Sequence, residues 1–150
     1  MPDWVVATCG DYSKRLPREY ALQIIEVPAE RRTKNQSTEV AKLKETQRLL
    51  AAVPAGDQIV ALDERGDQLS TASMAKKLAS WSDSGQNISI LLGGADGIAY
   101  DCSVKGRIVW PDWKWSLSKM TFPHPLARVI VTEQLYRAWS VHVGHPYHRE

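Results

Sequence analysis

The sequence predicts a single α/β domain built on a largely parallel sheet, and three observations lead to this fold class. Short runs rich in apolar and β-branched residues alternate with longer helix-like segments along the 150 residues. The connections between successive runs are long enough for the crossover helices that parallel strands require. No repeat, low-complexity tract or long linker divides the chain. We therefore expect one domain over residues 1–150.

The first half of the chain predicts two helices and two strands. A helix is expected from residue 3 to about 20, followed by a strand at 21–27 that Pro28 ends. After a loop at 29–36, Ser37 can cap a second helix. A second strand at 59–62 runs into a turn-like segment at 63–66, where Asp63 and Glu64 most simply form the turn. The apolar face of the second helix is expected to include Val40, Leu43, Leu49 and Leu50.

The second half predicts a helix at 70–82, a strand at 88–92 and a long final helix. The strand ends abruptly at Gly93 and Gly94, and its central residues permit burial on both faces, as in parallel sheets. The final helix begins near Pro125 and carries apolar residues on most sides between 126 and 135. Because such a helix must be buried on two sides, we expect one side to face another subunit.

Composition narrows the function. Apolar residues make up 43% of the chain and the net charge is +2, as in ordinary globular domains. No apolar run is long enough to cross a bilayer and no secretory signal is visible, so we expect a cytoplasmic protein. Cys9 and Cys102 have no metal-binding or redox spacing and are expected to be free thiols. RNA binding would need clustered basic residues. The sequence contains two such groups. The first is Arg31, Arg32 and Lys34, which could equally be a solvated surface. The second lies near the C-terminus and consists of Arg137, His145, His148 and Arg149.

Ligands of parallel sheets usually bind beyond the carboxyl ends of the strands. This places three segments together as candidates: the loop after Leu62, the loop at Gly93, and the segment that follows 115–120. The glycines at 93–97 do not have the dinucleotide-binding spacing, and a tight structural turn explains them equally well. No P-loop, zinc signature or serine-nucleophile elbow is present.

Three further patterns have ordinary explanations. Histidines recur at 142, 145 and 148, but Pro146 interrupts a ligand-bearing helix, so we expect no metal. Glu133 and Arg137 are four residues apart in a predicted helix, which favours an ion pair. The tryptophans at 110, 113 and 115 could stack on bases, although packing is the more common use of such residues.

Beyond these patterns, several longer segments closely resemble one known family. They are Ser-Leu-Ser-Lys-Met-Thr-Phe-Pro-His-Pro-Leu-Ala-Arg at 116–128, Glu-Gln-Leu-Tyr-Arg-Ala at 133–138 and Pro-Tyr-His-Arg-Glu at 146–150. They resemble the ribosomal RNA large subunit methyltransferase H family, small bacterial enzymes of the SPOUT class. Leu-Leu-Gly-Gly-Ala-Asp-Gly at 91–97 resembles the family's glycine loop, and 24–28 and 60–63 also match. The resemblance therefore covers nearly the whole chain.

The resemblance implies more than the residue patterns do. It implies a deep trefoil α/β knot, in which the C-terminal segment threads through a loop to form the cofactor pocket; topology alone argues against knots. It implies a homodimer that uses S-adenosylmethionine. The implied substrate is a pseudouridine in the helix 69 stem-loop of 23S rRNA, methylated at N3 on the assembled 70S ribosome.

The resemblance also implies residue roles. Candidates for RNA positioning or proton transfer are Arg137, Tyr147, His148 and Arg149, with His124 as a weaker one, and none is assigned as the base. The segments that match the family's cofactor-binding segments contain Leu62, Gly93, Leu117, Ser118, Lys119, Met120, Thr121 and Phe122.

Two departures from the family are visible. The family normally opens with an apolar strand before the segment that matches residues 1–4, where this chain begins, and loss of that strand would expose backbone and apolar neighbours. The chain is also several residues longer at 105–113, just before the implied cofactor loop. Two alternatives to the rRNA methyltransferase hypothesis remain: a non-catalytic RNA- or ribosome-binding knot protein, and a SPOUT methyltransferase with another RNA target.

Overall fold

The computed structural model describes residues 1–100, 102–104, 107–109 and 111–149, the two middle ranges as backbone only. Its described residues combine four helices with a sheet in which two parallel strands are connected through a helix, which confirms the predicted α/β class. The helices are α1 (Asp3–Arg15), α2 (Thr38–Ala52), α3 (Thr71–Asp83) and α4 (His124–Val143), with a 3₁₀ turn at Arg18–Tyr20. The strands are β1 (Gln58–Gln68), β2 (Ile88–Leu91), β3 (Cys102–Val104), β4 (Arg107–Val109) and β5 (Trp113–Ser116).

The described residues form two compact units. The sheet unit comprises Ile25–Asp67 and Asn87–Lys119, and the helical unit comprises Met1–Ile24, Gln68–Gln86 and Met120–Glu150. The sheet unit contains α2 and the strands, and the helical unit contains α1, α3 and α4. A single domain over the whole chain stays a prediction.

The sheet unit is organised around β1. This strand pairs in parallel with β2, with Gln58 opposite Ile88 and Ala61 opposite Leu91. β5 lies on the other side of β1, so β1 is the central strand of three. Its central position explains why Val60 and Ala61 are each only 1% exposed. The pairing of β1 with β2 agrees with the parallel sheet that the sequence predicts.

β1 is longer than the sequence predicts, and the turn expected at 63–66 is wrong. The Asp63 carboxylate does accept the Arg65 amide at 2.9 Å, as a turn-forming aspartate would. However, the chain continues as a strand because β5 passes close beside it. A Cβ on Gly66 would lie 2.5 Å from the Lys114 carbonyl carbon, so glycine permits this approach. The indole of Trp113 also donates to Asp67 at 3.0 Å. Strand pairing therefore overrides the local turn preference.

The α2 helix begins as predicted but buries a different face. The Ser37 hydroxyl accepts the Val40 amide at 3.2 Å and caps the helix. Val40 and Leu43 are nevertheless 43% and 39% exposed, so their predicted place in the core is wrong. Glu45 and Thr46 are buried instead, because each lies one turn before Leu49 or Leu50 on the helix face that meets the core. Leu49 and Leu50 pack against the cluster of Ala61, Leu91 and Ile98.

Two predictions for the first 27 residues need correction. α1 ends at Arg15 rather than near residue 20, because Leu16 precedes Pro17 and takes an extended conformation, with ψ 139°. The strand predicted at 21–27 is absent from the described structure. A strand needs a neighbour for its backbone hydrogen bonds, and no described strand pairs with this segment. Ile24 and Ile25 are accordingly 40% and 53% exposed.

In the helical unit, α4 packs against both α1 and α3. Val5 and Cys9 of α1 are buried, as are Met74 and Ala75 of α3. Cys9 is a free thiol, as predicted, and receives a weak hydrogen bond from Thr132. The side chain of Cys102 lies outside the described residues. The two packed helices account for much of the apolar surface of α4, and a subunit contact on its remaining side stays a prediction.

The first turn of α1 offers a matched test of this packing. Val5 is fully buried, whereas its neighbour Val6 is 57% exposed on the same helix. We expect Val5→Ala to lower the free energy of unfolding by about 2 kcal/mol, through lost burial and an unfilled cavity. Val6→Ala should change it by no more than about 0.5 kcal/mol. Denaturant titration of both variants checks this; equal losses would contradict the helix orientation described here.

Candidate functional site

The glycine loop, residues 93–97, follows β2 directly. Gly94 and Gly97 form an isolated antiparallel bridge, and the Gly97 amide donates to the Gly94 carbonyl at 3.0 Å. Gly97 has φ +84°, a conformation that favours glycine. At Gly93 a Cβ would lie 2.7 Å from the Gly97 carbonyl carbon and 2.8 Å from a side-chain carbon of Ile98. The loop is therefore a tight turn. Glycine is needed at position 93 because any side chain there would clash with the Gly97 backbone and with Ile98.

An arginine outside the glycine loop is bound to it. The Arg32 guanidinium lies 2.5 Å from Glu45 Oε1 and 2.6 Å from Asp96 Oδ2. The close contact with the Glu45 carboxylate, together with the charges of Glu45 and Asp96, raises the pKa of Arg32 above its ordinary value. Arg31 and Lys34 lie exposed beside it. The three basic residues grouped in the sequence therefore do not share one environment. Arg32 forms internal ion pairs, whereas Arg31 and Lys34 are exposed to solvent.

A second polar group surrounds Asp63, one residue beyond Leu62. The Tyr100 hydroxyl donates to the Asp63 carboxylate at 2.6 Å, and Lys114 Nζ lies 3.9 Å from the centre of the Tyr100 ring. Burial opposes ionisation of Asp63, but the hydrogen bonds from Tyr100 and the Arg65 amide outweigh it and lower its pKa. Burial and the Asp63 charge raise the pKa of Tyr100. Tyr100 could not be identified from the sequence, because only tertiary contact brings it to Asp63.

The candidate cofactor residues are divided between the two units. Leu62 and Gly93 lie just beyond the registered pair of Ala61 and Leu91, and β1 continues past Leu62 to Gln68. Leu117 directly follows β5, the other neighbour of β1, and the buried Ser116 hydroxyl donates to the Ser118 carbonyl at 3.0 Å. The sheet unit thus contains Leu62, Gly93, Leu117, Ser118 and Lys119. The helical unit contains Met120, Thr121 and Phe122.

The candidate RNA residues are brought together in the helical unit. The predicted ion pair of Glu133 and Arg137 is present at 2.6 Å. The Tyr147 hydroxyl lies 3.1 Å from both Glu133 Oε1 and the Tyr12 hydroxyl. Arg137 places its guanidinium carbon 4.9 Å from the centre of the Tyr147 ring and a nitrogen 3.2 Å from His148 Nδ1. We call these five residues the tail cluster.

The tail cluster has defined charges. The hydrogen bond that Arg137 donates to Glu133 is the main reason that the pKa of Arg137 is raised, so this guanidinium stays charged. Burial, followed by hydrogen bonds to Tyr12 and Glu133, raises the pKa of Tyr147, so its phenol stays neutral at physiological pH. The sequence did not identify Tyr12, because nothing local distinguishes it from other polar residues of α1. The cluster presents one cation beside an aromatic ring, with the exposed Arg149 next to it in sequence.

The other candidates have structural contacts. His145 accepts the Tyr147 amide at 3.2 Å, and His142 lies beside the Tyr20 ring, 6.5 Å between centroids. His124 contacts Arg128 at 3.2 Å. In the described part of the chain, no group of three or more His, Cys, Asp or Glu is arranged to hold a metal ion. Trp113 and Trp115 stack on each other at 5.6 Å, and Trp115 is 3% exposed, as the packing interpretation predicts. Trp110 lies outside the described residues.

Comparison with known proteins identifies the family of this chain. Residues 1–148 match a family model described as "Predicted SPOUT methyltransferase". The chain belongs to the SPOUT methyltransferase family. This membership confirms the resemblance seen in the sequence and makes the protein a methyltransferase. None of the helices that the structure describes has both the length and the apolar character of a membrane span.

Three curated relatives carry the name ribosomal RNA large subunit methyltransferase H. The relative from Hydrogenovibrio crunogenus is 47% identical over 150 residues, which cover 100% of this chain and 93% of the relative. The relative from Thioalkalivibrio sulfidiphilus is 46% identical over 152 residues, with coverage of 100% and 93%. The relative from Coxiella burnetii is 44% identical over 149 residues, with coverage of 99% and 93%. Membership of the family therefore extends along the whole chain.

The two raised phenol pKa values predict the behaviour of this methyltransferase at high pH. An unfolded tyrosine ionises near 10.0, whereas folded Tyr147 and Tyr100 keep their protons to higher pH. Their stabilising contribution is therefore complete below pH 10 and is lost as the pH rises toward the folded pKa. Phenolate absorbance should show two late-titrating phenols, and Tyr147→Phe or Tyr100→Phe should each remove one. Titration of all phenols together near pH 10 would contradict the contacts described.

Proposed function

We propose that this SPOUT methyltransferase transfers a methyl group from S-adenosylmethionine to N3 of a pseudouridine in the helix 69 stem-loop of 23S rRNA. The observation that carries the proposal is the full-length similarity to relatives named ribosomal RNA large subunit methyltransferase H. Two structural features support it: a glycine loop beyond a parallel strand, and a cluster that combines a cation with aromatic rings.

The candidate residues of the sheet unit fit the proposed cofactor. Glycine at 93 permits the tight turn that brings the Gly97 backbone against it, and Leu62 within β1 and Leu117 just after β5 are half-buried. Backbone amides and carbonyls of these loops can bind an adenosine, while apolar side chains cover it. When bound, the sulfonium supplies an electrophilic methyl group. The task of Leu62, Gly93 and residues 117–119 of the sheet unit is therefore to hold the donor in line with the acceptor nitrogen.

The tail cluster is proposed to hold the RNA. Arg137 remains charged beside the Tyr147 ring, an arrangement suited to a phosphate or a base face. N3 of the acceptor must lose its proton, and a nearby cation favours the resulting anion. The neutral phenol of Tyr147 is unsuited to remove that proton at physiological pH, so we assign it to positioning. His148 and Arg149 complete the set of RNA-binding candidates.

The remaining features of the family belong to the same proposal. We expect the chain to adopt the trefoil knot, with the segment after β5 forming the pocket, and to act as a homodimer in the cytoplasm. The predicted acceptor is the 70S ribosome, and no resident metal takes part. The partly exposed Leu126 of α4, at 38%, is a candidate subunit contact. Light scattering on the purified protein measures the oligomeric state directly.

Methyl transfer tests the proposal. Purified protein should transfer a labelled methyl group from S-adenosylmethionine to 70S ribosomes that contain pseudouridine in helix 69. Ribosomes from a strain that lacks those pseudouridines are the control and should accept little label. Mass mapping identifies the modified nucleotide, and a different position would favour another RNA target. Absence of transfer by a folded, cofactor-bound sample refutes the proposal, and ribosome association without cofactor binding would favour a non-catalytic module.

The division of labour between loop and tail predicts a split in the kinetics. Arg137→Ala should lower kcat/KM on ribosomes about a hundredfold, as expected when one charged group is lost from a reacting site. The Kd for S-adenosylmethionine, measured by calorimetry, should change less than about twofold, which is below about 0.4 kcal/mol. The reason is that Arg137 is not one of the candidate cofactor residues. Deletion of residues 147–150 should have the same pattern. Equal losses of turnover and cofactor binding would mean that the tail helps to build the cofactor pocket.

A further inference from the structure

We propose that Arg32 is a positioning residue for the glycine loop, because it binds Glu45 of α2 and Asp96 of the loop at the same time. Its consequence for cofactor binding rests on the proposed function. Arg32 lies in the segment before α2, and Asp96 is 64 positions away in the sequence. A single guanidinium thus connects three separate parts of the sheet unit.

The geometry suits arginine in particular. One terminal nitrogen of Arg32 lies 2.5 Å from Glu45 and the other lies 2.6 Å from Asp96. The first nitrogen also donates to the Glu30 carbonyl at 3.3 Å, which fixes the side chain against its own segment. A planar guanidinium offers donors in a rigid fork, whereas the lysine ammonium is a single point charge. A lysine at position 32 would therefore hold one carboxylate well and the other poorly.

Glu45 explains why the loop needs this cation. Its carboxylate is buried, with the residue 6% exposed, and it lies directly against Gly94. A Cβ on Gly94 would lie 3.1 Å from the carboxyl carbon of Glu45 and closer still to one oxygen. A buried carboxylate without a counter-charge is costly. Arg32 supplies that counter-charge and simultaneously holds the next part of the loop through Asp96.

The neighbouring residue of α2 holds the far end of the same loop. Thr46 is 1% exposed, and its hydroxyl accepts the Ala99 amide at 2.8 Å. Residues 45 and 46 therefore contact the chain on both sides of the Gly94–Gly97 bridge. Because the Arg32 and Asp96 side chains are 42% and 31% exposed, their pair contributes little to global stability. Its loss should therefore be felt mainly in the order of the loop.

The test uses the full-length protein and two measurements. Hydrogen exchange follows the Gly97 and Ala99 amides, and calorimetry gives the Kd for S-adenosylmethionine. We expect Arg32→Ala and Asp96→Ala to accelerate exchange at both amides and to raise the Kd about tenfold, a loss of about 1.4 kcal/mol. Arg32→Lys should give a smaller rise, since one ammonium cannot serve both carboxylates. Asp96→Ala keeps the counter-charge of Glu45, so it tests the proposal even where Arg32→Ala folds poorly.

A matched control is available in the same unit. Arg48 of α2 forms an ion pair with Glu30 at 2.6 Å, and the Arg48 side chain is about as exposed as that of Arg32. Its partner Glu30 lies on the segment before α2, not on the glycine loop. Arg48→Ala should leave loop exchange and the Kd within about twofold of the parent. Equal effects of Arg48→Ala and Arg32→Ala, or unchanged exchange in Arg32→Ala and Asp96→Ala, would overturn the proposal. If the parent binds no cofactor, the proposed function fails, while the exchange rates still decide the role of Arg32.

Discussion

The parallel pairing of β1 with β2 is the interaction on which the candidate cofactor site depends. Because the strands run in the same direction and Ala61 lies opposite Leu91, Leu62 and Gly93 both follow closely after the last paired residues of β1 and β2. A shift of register by one residue would turn the side chains of one strand to the opposite face. The burial of Val60 and Ala61 opposes such a shift. Core packing thereby sets the positions of residues that do not themselves belong to the core.

Two arginines with similar partners have different uses in this protein. Arg137 forms its ion pair with Glu133 within one helix and still faces His148 and the Tyr147 ring. Arg32 instead joins segments that are far apart in sequence, and its charge offsets that of a buried glutamate. The first arrangement leaves a cation beside an aromatic ring, which is the arrangement that we propose for RNA binding. The second arrangement, that of Arg32, holds the shape of the glycine loop. Membership of a basic cluster in the sequence is therefore not enough to identify an arginine as an RNA contact.

Errors in the sequence-based fold came from residues whose environment depends on distant partners. Val40 and Leu43 are apolar, yet the face of α2 that meets the sheet is the one bearing Leu49 and Leu50, and it carries Glu45 into the interior. The segment at 21–27 has strand-like composition, but composition does not supply the neighbouring strand that its backbone would need. At 63–66 the error is the opposite one: the residues favour a turn, but pairing with β5 makes them part of the strand β1.

The sequence by itself determined the α/β class, the cap at Ser37, the pair of Glu133 and Arg137, and membership of the SPOUT family, because these depend on local spacing or on long matching segments. Only the tertiary structure decided the partners of Arg32, the contact of Tyr12 with Tyr147, and the hydrogen bond from Tyr100 to Asp63. Each of these joins side chains separated by many residues. Their energies depend on distance and burial, which periodicity and composition do not encode.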